Sequence, residues 1–309
     1  MAHLPSTTRG PIFLVGCPRS GTTLLQQMLN AHPAIAIAPE THFIRRFWLQ
    51  RERYGDLSED ENYQRLIREM TMMPEFTEMQ LNAREFSEAA WENGRSYPAL
   101  FQLLLEQFAR THHTHVVGER TPEHLLYMPI LRQFFPAARF IHLVRDPRAV
   151  VNSWRQVPWS SGNPIDNAKV WRLCVVTARK SPPDIQASLL TLQYEQLVNA
   201  PDRSLRTVCE FLGVMFESSM LEYANNGPRF INVAREPWKT AATQRLNHAA
   251  LTRWTTELSR DVITDIEVAV WVEMRRFGYR AQTPGWLLVP AVAAAELRRK
   301  WTEFQERAR

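Results

Sequence analysis

Short apolar runs alternate with stretches of helical periodicity along most of the chain. PIFLV (11–15) and RFIHLV (139–144) are nearly continuous apolar runs, the pattern of strands buried on both faces. AIAIAPE (34–40), HVVGE (115–119) and SLLTLQYE (188–195) read as three further strands. After the first run, Leu24, Leu25, Met28 and Leu29 recur at helical spacing, and that helix ends by Pro33. EHLLYMPILRQFF (123–135), RAVVNSWRQ (148–156) and DRSLRTVCEFLG (202–213) read as helices, the last closed by Gly213. Residues 45–114 are charged and helical in character, a helical insertion over the sheet, whereas 155–187 reads as a loop. Alternation of strand and helix predicts an α/β fold with a doubly wound parallel sheet flanked by helices. No internal repeat, low-complexity tract or linker breaks the pattern. One domain is therefore expected over residues 1–309, with AVAAAELRRKWTEFQERAR (291–309) inside a C-terminal helical tail from about 288.

Composition narrows the class without naming it. The chain has 309 residues and 45% hydrophobic content, enough for one large α/β core. Its net charge of +5 is a mild excess, without the Lys/Arg blocks of a nucleic-acid tail; it fits a protein that binds a small polyanion. Cys17, Cys174 and Cys209 are far apart and form no C-x-x-C pair, so reduced, packed thiols are expected. MAHLPSTTRG lacks the apolar region of a signal peptide, and WLLVPAVAAAEL (286–297) is too short for a membrane span. The expectation is a soluble cytoplasmic protein with no nucleic-acid partner. Its oligomeric state stays open, a homodimer included.

The loop GCPRSG lies between the first strand and the first helix. Gly16 and Gly21 have the spacing of the nucleotide-binding G-x-x-x-x-G-K-[ST] loop, but Thr22 stands where that loop has lysine. Backbone N–H groups and the positive helix end form an anion nest there. Ser20, Thr22 and Thr23 add hydroxyls, and Arg19 adds a forked cation. Without the lysine this loop suits a less charged 5′ group than a triphosphate. FIHLVRDPRAVVNSW (140–154) is a second strand–loop–helix. It places Arg145 at a strand end and Ser153 on the following helix, a pair suited to a second, separate phosphate.

GCPRSGTTLLQQMLNAHP resembles the 5′-phosphosulfate loop of the sulfotransferase family, and LVRDPRAVVNS resembles that family's 3′-phosphate motif. The resemblance spans about residues 11–280 and is closest to the tyrosylprotein-sulfotransferase-like branch. It implies a P-loop-NTPase-like fold and the donor 3′-phosphoadenosine-5′-phosphosulfate (PAPS), used without a catalytic metal. The acceptor would be a hydroxyl or phenol on a small metabolite, carbohydrate, lipid or peptide.

Sulfonyl transfer needs a base for the acceptor proton and cations for the leaving phosphate. Glu40, in APETHF (38–43), is placed at the end of a strand beside the loop's strand and matches the branch's glutamate base. His42 is the competing base, since other sulfotransferases use a histidine. Arg120, in GERTPEH, stands where the branch has an assisting lysine; it keeps the charge but donates a proton poorly. Arg19 is the other candidate for stabilising transferred charge. LQYEQLVNAP places Tyr194 near the nucleotide, and in KTAATQRLNHAALTRW either Lys239 or Arg245, with Arg245 favoured, supplies a cation to the 3′-phosphate. Trp48 and Trp91 lie in the insertion, Trp159 and Trp171 in the 155–187 region and Trp154 just before it; the insertion and the 155–187 region are the segments expected to build the acceptor pocket. No H-E-x-x-H, paired C-x-x-C or G-x-S-x-G occurs. The rival readings are a P-loop kinase-like phosphotransferase and a non-catalytic nucleotide-binding protein.

Overall fold

The computed structural model describes residues 10–290 and 292–293. Five strands, β1 (Ile12–Gly16), β2 (Ile35–Ala38), β3 (Val116–Glu119), β4 (Arg139–Val144) and β5 (Leu189–Gln193), form one parallel sheet in the order β2-β3-β1-β4-β5. All five expected strands are present. Side-chain alternation divides β1, β2 and β4 between two cores, which explains their continuous apolar runs. Phe13, Val15, Ala36, Ala38, Phe140 and Val144 face the larger core. Ile12, Leu14, Ile35, Ile37, Ile141 and Leu143 face the other. The helices Thr22–Asn30 and Pro201–Leu212 cover the second face. The insertion packs on the first, through Asp60–Thr71, Ala83–Glu92 and Tyr97–Thr111.

Three expectations need correction. Residues 155–187 are not a loop: Pro164–Lys180 is a 17-residue helix started by the Asn163 side chain, and it packs against a second long helix, Arg260–Arg276. Its apolar positions Trp171, Cys174, Val175 and Ala178 recur at helical spacing and are buried. Second, β2 is not adjacent to β1, because β3 lies between them. Third, strand β2 ends at Ala38 and β5 at Gln193, so Glu40 stands in a loop and Tyr194 opens the helix Tyr194–Asn199. The segment 123–135 starts as a 3₁₀ turn, Pro122–Tyr127, before the α-helix Met128–Phe134. The C-terminal helical tail lies almost wholly outside the described residues; 285–290 are helical. Among the described residues no helix is long and apolar enough to cross a membrane. Cys17, Cys174 and Cys209 are free and buried.

Candidate active site

A cavity of about 830 Å³ opens at the carboxyl ends of the strands. This is where an open parallel sheet places its ligands. Arg19, Gly21, Thr22, Thr23, Glu40, Arg120, Arg145, Ser153, Tyr194 and Arg245 all line it. The fold thus gathers residues that are dispersed over more than two hundred positions.

The first wall is the loop after β1. Arg19 takes a left-handed conformation (φ 73°), and Ser20 N–H donates back to the Cys17 carbonyl at 3.1 Å. The following helix begins at Gly21 with no side-chain cap and no acid in its first turn. Its leading N–H groups are therefore disposed toward an anion. Gly21 has φ 102°, and a Cβ there would lie 2.2 Å from Cδ2 of Tyr194. Only glycine meets both demands. The Arg19 side chain crosses the cavity: Nε donates to Ser153 Oγ at 3.0 Å and Nη2 to the Trp238 carbonyl at 2.7 Å. Burial, then the neighbouring Arg145 guanidinium, pulls Arg19 down to about 10.

Arg145 follows β4. Its guanidinium lies over the Tyr194 ring at 4.4 Å and donates to the Arg19 and Ala250 carbonyls at 3.3 and 2.8 Å. Asp146 does not pair with it; that carboxylate holds Arg148 instead. Arg245 is exposed on the wall formed by 236–254. Two buried polar atoms of the two motifs lack a partner, Arg145 Nε, whose residue lines the cavity, and Ser20 Oγ, whose residue is buried in the loop after β1 and does not line it. Such orphans cost about 1–3 kcal/mol each unless a ligand meets them. Arg19, Thr22 and Thr23 of one motif and Arg145 and Ser153 of the other line the same cavity, so the residues present fit a ligand that carries two anionic groups.

Glu40 marks the far side. Arg120 Nη1 and Lys239 Nζ both donate to its Oε1, Lys239 at 2.9 Å, and His42 Nε2 lies 3.4 Å from its Oε2. Burial alone would raise the Glu40 carboxyl. Arg120, then Lys239 and His42, overcome it and hold the group far below the usual carboxylate range. Arg120 is 1% exposed, donates through Nε to Gln26 at 2.8 Å, and has Glu40 as its carboxylate partner. Lys239 Nζ also meets Glu236 at 2.5 Å, and burial, then Arg120, lowers its pKa. The His42 ring lies between two carboxylates: its Nδ1 is 2.9 Å from Glu123, which also pairs with Arg45.

Two contributors were not singled out from sequence, and a third, Lys239, was given another role. Glu119, fully buried at the end of β3, accepts from Thr41 N–H, Thr121 N–H and both threonine hydroxyls, and lies 3.0 Å from His124 Nδ1. It ties the residue after Glu40 to the residue after Arg120. Gln26 holds Arg120 and the Ile37 and Ala38 carbonyls. Its place in line with Thr22 and Asn30, a polar row at four-residue spacing along the helix, was the available signal. Lys239 was weighed only as a phosphate ligand, yet it sits on Glu40. The pocket walls also differ from expectation. From the insertion only Arg45 lines the cavity, and of the five tryptophans named above only Trp159 does. Trp238 and Trp254 line it instead, while Trp154 and Trp171 are core.

Known proteins resemble the chain in sequence and fold. A model of the sulfotransferase family matches residues 11–218. Protein-tyrosine sulfotransferase 1 of Danio rerio is 27% identical over 277 residues, covering 87% of this chain and 72% of that protein. Protein-tyrosine sulfotransferase 2 of Gallus gallus is 26% identical over 282 residues, covering 87% and 69%. The sulfotransferase domain of the Synechococcus olefin synthase superposes with a TM-score of 0.60 at 21% identity, over 92% of this chain and all of that domain. The sulfotransferase domain of the curacin biosynthetic pathway gives 0.60 at 20% identity, over 89% and 99%. With the family match spanning two thirds of its length, and with protein-tyrosine sulfotransferases among its relatives, this chain belongs to the sulfotransferase family.

Proposed function

We propose that the protein transfers the sulfonyl group of PAPS to an acceptor hydroxyl, with the phenol of a peptide tyrosine as the first acceptor to consider. The 5′-phosphosulfate would occupy the loop of Arg19, Ser20, Gly21, Thr22 and Thr23. The 3′-phosphate would meet Arg145 and Ser153, with Arg245 from the facing wall, and Tyr194 would border the nucleotide. Glu40 is the base and is already ionised at neutral pH. The acceptor oxygen attacks sulfur and its proton passes to Glu40. The sulfur–oxygen bond to the 5′-phosphate breaks, and the electron pair leaves on that phosphate. Arg120 and Arg19 supply the positive charge that this oxygen needs.

The observation that carries the reading is the convergence of two motifs on one cavity: Arg19, Thr22 and Thr23 from the first and Arg145 and Ser153 from the second line it together, and Glu40 lines it too. A tyrosine acceptor is supported by the names of the relatives. It is also supported by His42, Arg45 and Glu123, which line the cavity with Glu40 and are polar groups able to hold a peptide backbone.

The test is transfer from PAPS carrying a labelled sulfonate to tyrosine peptides and simple phenols, with a chelator present. Transfer is expected, and Glu40→Gln should lower turnover by about 10²-fold or more without weakening donor binding. No transfer to any hydroxyl, or wild-type rates in the variant, would refute it.

A further inference from the structure

Glu40 is neutralised twice over. Arg120 and Lys239 donate to the same oxygen, and His42 attends the other. A carboxylate held this way is ionised but a weak proton acceptor, because protonation forfeits both attractions. A base needs part of this grip released when the reaction begins.

The two cations are not held alike. Arg120 is fixed just after β3, with Nε on Gln26. Lys239 stands on a four-carbon stem in the 3₁₀ segment Pro237–Thr243 and borders the cavity. That segment is joined to the phosphosulfate loop, since Arg19 Nη2 donates to the carbonyl of Trp238, the residue before Lys239. A donor group that draws on Arg19 therefore acts on the backbone that carries Lys239.

We infer, on the reading above, that Lys239 is a catalytic residue: its ammonium masks Glu40 in the donor-free enzyme and moves to the sulfonate oxygens of the bound donor, leaving Glu40 free to take the acceptor proton. Lys239 keeps its own protons throughout. The acceptor proton ends on Glu40, the new bond joins acceptor oxygen to sulfur, and the pair from the broken bond stays on the 5′-phosphate. Sulfonate is the anion that calls the lysine away, so the base is exposed only when there is something to transfer.

Glu40 is faced by Arg120 from just after β3, Lys239 and beyond it Glu236 from the 236–243 segment, and His42 from its own loop, with Glu123 and Arg45 behind that imidazole; Arg19 acts across the cavity. Of these, Lys239 alone is assigned to leave on donor binding. Lys239→Met should lower kcat by about 10²-fold, the loss typical of one removed charge-stabilising donor, while adenosine 3′,5′-bisphosphate still binds. The acid limb of kcat/KM for the donor should move to higher pH, because free Glu40 has lost a cation. The acid limb of kcat should stay in place, because the donor-bound enzyme has already released that cation. Lys239→Arg keeps the charge and should retain kcat within about tenfold. Both limbs moving together, or equal losses in the Met and Arg variants, would reduce Lys239 to a structural tie and overturn the proposal. An inactive wild-type chain would overturn the sulfotransferase reading beneath it.

Discussion

Arg19 donates through Nε to Ser153 Oγ at 3.0 Å, so the loop after β1 is bonded directly to the helix Pro147–Trp154 after β4. The two anion motifs, separate in sequence, share one side chain. Arg19 is also held in a left-handed backbone conformation, a state that costs about 1–3 kcal/mol and persists only when its surroundings over-determine it. Ser153 and the Trp238 carbonyl are the partners that fix its guanidinium.

Ser153→Ala should therefore weaken more than a local contact. The variant loses a hydroxyl from one cradle and the tether of an arginine in the other. A hydrogen bond to a charged group contributes about 1.5–3 kcal/mol, so adenosine 3′,5′-bisphosphate should bind at least about tenfold more weakly by calorimetry. Undiminished affinity would show that the two motifs act separately.

Gly21→Ala tests the loop by sterics. The methyl would meet the Tyr194 ring at 2.2 Å, and the backbone would keep a φ of 102°. The melting temperature should fall and bisphosphate binding should be lost. Adding Tyr194→Ala removes the clash but leaves the backbone strain, so stability should recover only in part. A Gly21→Ala variant with wild-type melting and binding would contradict the geometry.

His142 gives a pH signature independent of the site. It is 1% exposed on β4, and burial pulls its pKa down to about 4. The folded value is depressed below the unfolded 6.5, so the neutral imidazole favours folding fully above pH 6.5. That contribution declines as pH falls toward 4, where the folded imidazole charges too. By pH 5 the loss should reach about 2 kcal/mol. Denaturant unfolding at pH 7 and pH 5 should show a drop in the wild type that is smaller by about this amount in His142→Val. Equal drops would refute the assignment.

The sequence made the two anion motifs legible because their spacing is local. Gly16, Arg19 and Gly21 in one loop, and Arg145 and Ser153 around one strand–helix turn, carry their spacing in the chain. Strands β1 and β4 were legible because burial on both faces writes an uninterrupted apolar run. What lies around Glu40 was not, because it is assembled across the fold. Lys239 arrives from a 3₁₀ segment with no strong periodicity, and Glu119 works by joining two strand ends whose adjacency depends on the sheet order. That order also placed β3 between β1 and β2, which no local pattern encodes. The helix Pro164–Lys180 was missed because Trp171, Cys174 and Ala178 are spaced among Lys169, Arg172 and Arg179, which dilute the apolar stripe.

The central claim is that one cavity holds a bisphosphorylated adenosine by two anion cradles, without a divalent ion. Calorimetric titration with adenosine 3′,5′-bisphosphate in the presence of a chelator tests it directly, with ATP–magnesium as the counterpart ligand. The account predicts binding of the bisphosphate, and in Arg145→Ala a far larger loss for it than for adenosine 5′-phosphate, which lacks the 3′ group. Tight binding of ATP–magnesium by a chain that ignores the bisphosphate would contradict it.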